Sequence, residues 1–444
     1  MAVPIAQPAS KLETWIRKLG TSIGRPLFAV VLAMIAGGIV IMITSSGSLI
    51  DRFTAATTAY QALYAGSLGD PQSFSFTLVN VTPLILTGLS VAIAFRAGLF
   101  NIGAEGQLAV GAMTAGVIGL KAATWPGWLL IPTMIIASML AGAIWGGIVG
   151  ILKAWRGAHE VVTTIMLNWT AFFIADYLII GPLKDPFQAD QTSSLPAQAT
   201  LPKVSIFYNQ TLGTFLPKIA QPEQYLVDVT IFLALFALGV YWFITSRTTF
   251  GYEIRVIGQN LKAARYAGMP IKRNIFAVMA IAGAFSGLAG AVHLMGQFPN
   301  NLIATTFSND TTGFDAIGVA LLGRTTPIGI LLGALLFGGL RQGAGLMQLT
   351  ARVPGDLVFI IIALVLFSIA AEFLPTIRRA LPKWMSFGRG PTPAPAIAGT
   401  SIAVIDLPGN GNENGTAENG AEPLPEPDRR SVADKASSEE TRGG

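Results

Sequence analysis

The chain has 444 residues, of which 52% are hydrophobic and 12% charged, and its formal net charge is +5. A soluble domain carries about twice that share of charged residues, so one soluble core cannot hide this much apolar surface. The sequence has no cysteine, which excludes disulfides and cysteine-based zinc or iron–sulfur sites. The basic residues lie between apolar runs, as the positive-inside rule expects, and we predict no nucleic-acid partner.

The apolar runs predict an all-α, polytopic integral membrane protein, because runs of about 18 residues or more can span a bilayer as helices. In chain order, the predicted crossings number about ten: 26–44, 78–95, 108–124, 128–152, 161–180, 226–244, 275–294, a broken or re-entrant crossing at 297–323, 326–340 and 354–374.

The charge distribution predicts the domain organisation, with both termini in the cytoplasm. Residues 1–25 form a basic cytoplasmic segment, and 26–387 form the transmembrane domain. Within this domain, the polar loop 181–225 is placed on the extracytoplasmic side of the membrane. The basic segment 246–274 is placed on the cytoplasmic side as a coupling loop. The last part, 388–444, is rich in Pro, Gly, Asn, Glu and Ser, which predicts a disordered cytoplasmic tail.

A polar break interrupts the apolar pattern at 100–107, where Asn101, Glu105 and Gln107 alternate with glycines. Polar groups at membrane depth are costly and usually face a bundle interior or an aqueous path. One hypothesis is therefore that this break lines a substrate pathway. The alternative is a cytoplasmic turn just below the membrane, with Glu105 paired to Arg96.

Two segments show a faint internal symmetry. Residues 78–124 and 275–323 each combine a helix, a polar break and a short glycine-rich helix, and they run in opposite directions in the predicted topology. Inverted repeats with broken helices are a common transporter plan, with substrate near the repeat interface. Asp315 follows the second break and is placed to mirror Asn101.

Other polar residues allow two interpretations. Asn168 shares one helix stripe with Glu160 and Thr164, which favours helix packing over a role in the pathway. His293, near a helix end, is interpreted as a packed or interfacial residue. With two histidines in the chain, we predict no metal site.

No phosphate-binding P-loop, nucleophile elbow or zinc-protease motif occurs in the sequence. The pattern therefore predicts no catalytic residue and no ATP bound by this chain. The basic segment 246–274 can form a short amphipathic helix near 259–267. It is either an ordinary basic loop at the lipid surface or a docking element for a soluble partner, and the sequence alone leaves these two equal.

Four blocks resemble the permeases of bacterial ABC importers for nucleosides and simple sugars, which belong to the branched-chain amino acid and ribose permease family. The blocks are GLFNIGAEGQ at 98–107, Glu160 with TTIMLN at 163–168, RVIGQN with AARYAG between 255 and 268, and LG with TPIG between 322 and 329. Their order matches the family over roughly 80–375, and the first block favours the nucleoside branch.

The resemblance implies a subunit of the bacterial plasma membrane with several partners. They are ABC ATPase subunits that use ATP, a second permease chain that is related to this one but different from it (a heterodimer in preference to a homodimer), and an extracytoplasmic binding protein, often a lipoprotein. This chain itself would hold no cofactor, and the substrate would be a nucleoside or a simple sugar.

Two sets of residues follow as site hypotheses. The substrate-pathway set comprises Phe100, Asn101, Glu105, Gln107, Asn168 and Asp315. The third block contacts the ATPase in this family, and the ATPase-coupling set drawn from it comprises Arg255, Gly258, Asn260, Ala263, Ala264, Arg265 and Gly268.

Two rival functions remain open from the sequence. The first is a secondary transporter of small polar solutes coupled to H⁺ or Na⁺, for which Glu105 and Asp176 are the main candidate carboxylates. The second is a membrane enzyme or scaffold, which lacks support because no acid–base or metal set is visible.

Overall fold

The apolar runs of the sequence fold into long helices that pack side by side. The computed structural model describes residues 11–370, apart from 298, 352, 353 and 355. No β-strand occurs within that range, only isolated bridges, which confirms the all-α class. The predicted tail, 388–444, lies outside the described residues.

The described part of the chain contains α-helices joined by turns and by three short 3₁₀ helices. In chain order the α-helices are α1 (Lys11–Thr44), α2 (Leu49–Leu68), α3 (Pro71–Arg96), α4 (Ala104–Lys121), α5 (Gly127–Arg156), α6 (Glu160–Ile180), α7 (Val204–Gln210), α8 (Thr230–Arg247), α9 (Thr249–Gln259), α10 (Leu261–Tyr266), α11 (Ile271–Gly296), α12 (Thr306–Asn309), α13 (Thr312–Leu322), α14 (Pro327–Ala351) and α15 (Leu357–Ala370).

Seven helices between residues 11 and 370, gaps aside, are long and apolar enough to cross a membrane: α1 from Leu27 onwards, α3, α5, α6, α8, α11 and α14. They coincide with predicted crossings, so the chain is a multi-pass membrane protein. The shorter helices α4, α13 and α15 stand where three further crossings are predicted. The count of about ten crossings stays a prediction.

Helix α2 is an element that the sequence analysis did not recognise within its polar stretch 45–77. Ser48 and Asp51 form a capping box at its start, and Asp70 caps the following helix α3. One side of α2 packs on α14 so closely that a Cβ on Gly343 would lie 2.3 Å from the Leu63 carbonyl oxygen. A helix of moderate polarity therefore belongs to the bundle through small residues.

Helix α11 lies at the centre of the bundle, against α3, α4 and α5. A Cβ on Gly283 would lie 2.0 Å from the Gly142 oxygen of α5, and one on Gly111 of α4 would lie 2.3 Å from the Gly287 oxygen. These distances are far below ordinary contact. The glycines therefore allow backbone-to-backbone packing, as expected for helices in lipid.

Replacing Gly287 with alanine is expected to destabilise the folded chain, because its new Cβ would lie 2.2 Å from the Ser138 oxygen of α5. Forcing atoms into a packed core costs about 1–3 kcal/mol. The measurement is the melting temperature of the purified protein in detergent. Gly239→Ala on α8 is the matched control, because a Cβ there meets nothing within 4 Å. Equal melting temperatures for the two variants would contradict the packing argument.

The bundle has two distinguishable ends. The basic end holds α9 and α10 together with the C-termini of α3, α5 and α8. The loop end holds the long connection 181–229, whose Gln198 side chain contacts Ala123 in the turn after α4. Helix α3 therefore runs toward the basic end, and α4 runs back toward the loop end.

The two predicted repeat units run in opposite directions in the structure. Helix α13 lies parallel to α3, with Val319 against Gly88 and Arg96 donating to the Thr325 oxygen just beyond α13. Helix α4 lies parallel to α11, with Leu108 against Gly290. Each unit thus has a long helix, a connecting segment (97–103 or 297–311) that turns back, and a short helix, as the inverted-repeat hypothesis predicts.

Candidate functional site

The two connecting segments bring the N-termini of α4 and α13 together inside the bundle. Glu105, in the first turn of α4, is completely buried, and its Oε2 accepts a hydrogen bond from the backbone N–H of Gly313 at the start of α13. Helix N-termini carry partial positive charge. A carboxylate shared by two such ends is therefore favourably placed, although its Oε1 has no hydrogen-bond partner within the described part of the chain.

The observed break is shorter than predicted. Helix α4 already begins at Ala104, so Glu105 and Gln107 belong to a helix and only 97–103 is non-helical. The alternative that pairs Glu105 with Arg96 is wrong: the Arg96 guanidinium donates to the Thr325 carbonyl oxygen at 2.9 Å. Polar residues at a buried helix start resemble a loop in a hydropathy pattern, which explains the misplaced boundary.

The side chains of Asn101 and Gln107 are hydrogen-bonded to each other. The Asn101 Nδ2 donates to Gln107 Oε1 and to Ser90 Oγ, each at 3.0 Å, and Gln107 Nε2 donates back to Asn101 Oδ1 at 3.1 Å. Both amide side chains are buried. These bonds use most of the hydrogen-bonding capacity of the two amide groups. The pair therefore fixes the shape of the connecting segment. Phe100 is 38% exposed and packs on Phe95, with ring centroids 4.8 Å apart.

Asn168 of α6 forms hydrogen bonds with the first connecting segment and with the start of α4. Its Nδ2 donates to the Ile102 oxygen and its Oδ1 accepts from the Gly106 N–H, both at 2.9 Å. Thr164, one turn earlier, is buried against Gly103. These contacts agree with the packing interpretation of the stripe. Glu160, at the end of the stripe, forms an ion pair of 2.7 Å with Lys153.

A charged group that we call the central cluster surrounds the start of α13. Arg341 of α14 donates from Nη2 to Asp310 Oδ1 at 2.9 Å and from Nη1 to Thr312 Oγ1 at 2.7 Å. Its Nη1 also lies 3.7 Å from Asp315 Oδ2. The central cluster consists of Glu105, Asp310, Asp315 and Arg341, and Glu105 belongs to it through its contact with Gly313 at the start of α13.

Sequence analysis did not single out Asp310 or Arg341. A signal was available for Arg341, because an arginine inside a long apolar helix is rare and usually functional. The predicted span 326–340 stopped one residue short of it, whereas α14 continues to Ala351. Asp315, placed in the pathway set by analogy with Asn101, lies in the first turn of α13 near Arg341 and does not form an amide pair like that of Asn101 and Gln107.

A cavity of about 440 Å³ adjoins the central cluster, between the end of α11 and the second connecting segment. Its walls comprise His293, Ile303, Ala304, Thr305, Thr306, Asn309 and Asp310. No grouping of three or more His, Cys, Asp or Glu side chains suited to a metal ion occurs among the residues described.

The basic segment 246–274 folds as two helices, α9 and α10, where one was predicted. Asn260 caps α10 by accepting from the Ala263 N–H at 3.0 Å. Helix α9 touches the first connecting segment: a Cβ on Gly258 would lie 2.4 Å from the Arg96 oxygen, and Gly98 lies against the same glycine. The coupling set therefore contacts the segment that leads to Glu105.

Not all residues of the coupling set are available to a partner. Ala264 is fully buried, while Ala263 and Ala267 are exposed. Ala264 therefore packs inside the chain, and its place in the coupling set is wrong as far as direct contact with a partner is concerned. The other members, Arg255, Gly258, Asn260, Arg265 and Gly268, are exposed.

Comparison with known proteins agrees with this architecture. The family model described as branched-chain amino acid transport system, permease component, matches residues 73–370. The chain belongs to this family. The match covers both repeat units and the central cluster, and it is consistent with the resemblance noted from the sequence blocks.

Individual relatives are permease proteins of ABC transporters. The chain is 38% identical over 348 residues to the guanosine permease protein NupP of Bacillus subtilis, covering 78% of this chain and 93% of the relative. It is 34% identical over 358 residues to the nucleoside permease protein NupB of Lactococcus lactis (81% and 93%). A glucose permease protein of Haloferax volcanii, TsgB13, is 31% identical over 393 residues (88% and 96%).

Weaker matches reveal pairs within one organism. The guanosine permease protein NupQ of Bacillus subtilis is 30% identical over 274 residues, and the nucleoside permease protein NupC of Lactococcus lactis is 25% identical over 299 residues. Two related permease proteins with the same named substrate thus occur in each of these bacteria.

Proposed function

We propose that the chain is the membrane-spanning permease subunit of an ATP-driven ABC importer that moves nucleosides. The observation that carries the proposal is the 38% identity to a guanosine permease protein over 93% of that protein's length. The meeting of two half-helix N-termini supports it, because such broken helices form the transport sites of other membrane carriers. Simple sugars are the second candidate, favoured by the glucose permease relative.

The proposal includes partners on both sides of the membrane. ATPase subunits dock at the basic end and hydrolyse ATP, so this chain needs no cofactor and no catalytic residue. A second, related permease chain completes the path, by analogy with the paired relatives. An extracytoplasmic binding protein, of the lipoprotein type, delivers substrate to the loop end.

The proposed location is the bacterial plasma membrane, with the basic end and both termini in the cytoplasm. This orientation follows from the positive charge of α9 and α10 and of the neighbouring helix ends. The ion-coupled alternative has no support from the three relatives with the highest identity reported above, whose names describe ABC transporter permeases.

Uptake of radiolabelled guanosine tests the proposal. Cells without their own nucleoside uptake would express this chain with its ATPase, second permease and binding protein. We expect uptake that requires every subunit, that vanadate inhibits and that an uncoupler leaves largely intact. Competition by unlabelled glucose instead of guanosine would favour the sugar candidate. Vanadate-resistant uptake that the uncoupler abolishes would refute ATP-driven transport.

A further inference from the structure

Resting on the proposed function, we propose that the cavity beside His293 and Asp310 is a substrate site that accepts the ribose hydroxyls of a nucleoside and rejects nucleotides. The cavity is separate from the amide pair of Asn101 and Gln107, and its polar residues were not in the predicted pathway set.

The cavity is an open one with the volume of a small-molecule site. Its volume of about 440 Å³ falls within the range of about 300–1,000 Å³ typical of ligand pockets. Ile303 and Ala304 form apolar parts of the cavity wall, and His293 and Asp310 contribute polar groups. Apolar walls with a few convergent polar groups are the usual design of a site for a small polar ligand.

The Asp310 carboxylate is held in place with one oxygen unused. Its Oδ1 accepts from the Thr311 N–H at 2.8 Å, from Thr312 Oγ1 at 2.9 Å and from Arg341. Its Oδ2 has no partner among the described residues, although the side chain is only 9% exposed. A buried carboxylate oxygen without a donor is costly, which points to a ligand that supplies the donor.

His293 adds a second unused polar atom. Its Nδ1 is buried and has no hydrogen-bond partner in the described part of the chain, and the residue lines the same cavity as Asp310. An ionised carboxylate only accepts hydrogen bonds, whereas a neutral imidazole nitrogen either donates or accepts. Neighbouring hydroxyl groups both donate and accept, so the vicinal diol of a ribose matches this pair.

The charge balance of the central cluster opposes phosphorylated ligands. Glu105, Asp310 and Asp315 provide three carboxyl groups, against the single guanidinium of Arg341. That guanidinium is already engaged by Asp310 and Thr312. A phosphate placed here would find no unengaged guanidinium within the central cluster, and a charge left unpaired in a desolvated site is strongly unfavourable.

The cavity also lies between the loop end and the junction of the half-helices. Backbone hydrogen bonds tie its wall to the long loop 181–229; they join Thr192 to Leu302, Leu195 to Asn300 and Ala304 to Asp190. On the other side, Asp310 accepts from Thr312 at the start of α13. A substrate released at the loop end would therefore meet this cavity before the Glu105–Gly313 contact.

Cysteine protection tests the proposal directly, because the natural chain has no cysteine. Thr306→Cys places a thiol in the cavity wall without changing His293 or Asp310. Ser308→Cys is the matched control, since it is exposed on the same short helix but does not line the cavity. Membranes containing the complete transporter would be treated with a maleimide, and labelling of this chain followed over time on a gel.

We expect guanosine to slow the labelling of Thr306→Cys at least about threefold and to leave Ser308→Cys unchanged. Removing both hydroxyls, in 2′,3′-dideoxyguanosine, should abolish most of the protection, and guanosine 5′-monophosphate should give none. Asn309→Cys, which also lines the cavity, serves as the second variant if Thr306→Cys does not assemble.

Three results would overturn the inference: no protection by guanosine, equal protection by the monophosphate or the dideoxy compound, or equal protection of Ser308→Cys. Guanosine uptake measured in the same membranes distinguishes a failure of the proposed cavity site from a failure of the proposed nucleoside function. Uptake without protection refutes the cavity site alone, whereas absence of guanosine uptake by the parent transporter refutes the proposed nucleoside function.

Discussion

Replacing Glu105 with glutamine is expected to reduce nucleoside uptake about 5- to 150-fold while the chain still inserts and assembles. The side chain is completely buried, and its Oε2 accepts from the Gly313 N–H where α4 and α13 meet. Glutamine keeps the size and an acceptor oxygen but replaces the ionisable carboxyl group with a neutral amide. Loss of a hydrogen-bonding group in a buried site typically costs about 1–3 kcal/mol, which corresponds to this range.

The measurement is the initial rate of guanosine uptake, divided by the amount of chain recovered in the assembled transporter. Glu223→Gln is the matched control, because that carboxyl group is 75% exposed in the loop 181–229. Glu105→Ala should be at least as severe, since it also leaves the Gly313 N–H unpaired. Normal uptake by both Glu105 variants would show that the half-helix junction is only structural.

Asn101 provides a contrast within the same predicted pathway set. Its amide is satisfied by Gln107 and Ser90, so Asn101→Ala leaves buried polar partners unpaired. We therefore expect Asn101→Ala to lower the amount of folded chain, and not to act mainly on the passage of substrate.

Replacing Ala263 with tryptophan is expected to detach the ATPase subunits, or to abolish substrate-stimulated ATP hydrolysis, without changing membrane insertion. Ala263 is exposed on α10 between Lys262 and Arg265. A small residue lets a partner's groove approach the helix, and an indole would occupy that space while every charge stays in place. The measurements are co-purification of the ATPase in detergent and the ATPase rate with substrate-loaded binding protein.

Ala264→Trp would not test docking, because Ala264 is fully buried and the indole would disrupt α10 from within. Ala220→Trp, at an exposed alanine of the loop 181–229, is the proper control and should retain the ATPase. If the Ala263 variant also retains the ATPase and couples hydrolysis to transport, the α9–α10 region is an ordinary basic loop.

The sequence was most informative where a local pattern decides the structure. Apolar length predicted the long helices, and the broken crossing 297–323 is indeed a connecting segment followed by the half-helix α13. Helix α2 was missed because its burial depends on alanines and glycines facing α14, and such residues give little hydropathy signal.

The site was only partly accessible from the sequence because its contacts are long-range. Glu105 and Gly313 are 208 positions apart, and Arg341 reaches Asp310 across 31 positions. No periodicity links such residues; only the folding of two opposed units brings them together. The polar residues at 101–107 were recognised, yet their division into an amide pair and a carboxylate depends on which neighbour each one meets.

The contact between Gly98 and Gly258 has a mechanical consequence. At this point two backbones touch with no side chain between them, so there is no flexible rotamer to absorb a displacement. We therefore expect a displacement of α9 to reach Gly98 directly, and the start of α4 lies six positions further along the chain. The Gly98–Gly258 contact thus couples α9 rigidly to the first connecting segment, and the other end of that segment is the helix start that carries Glu105.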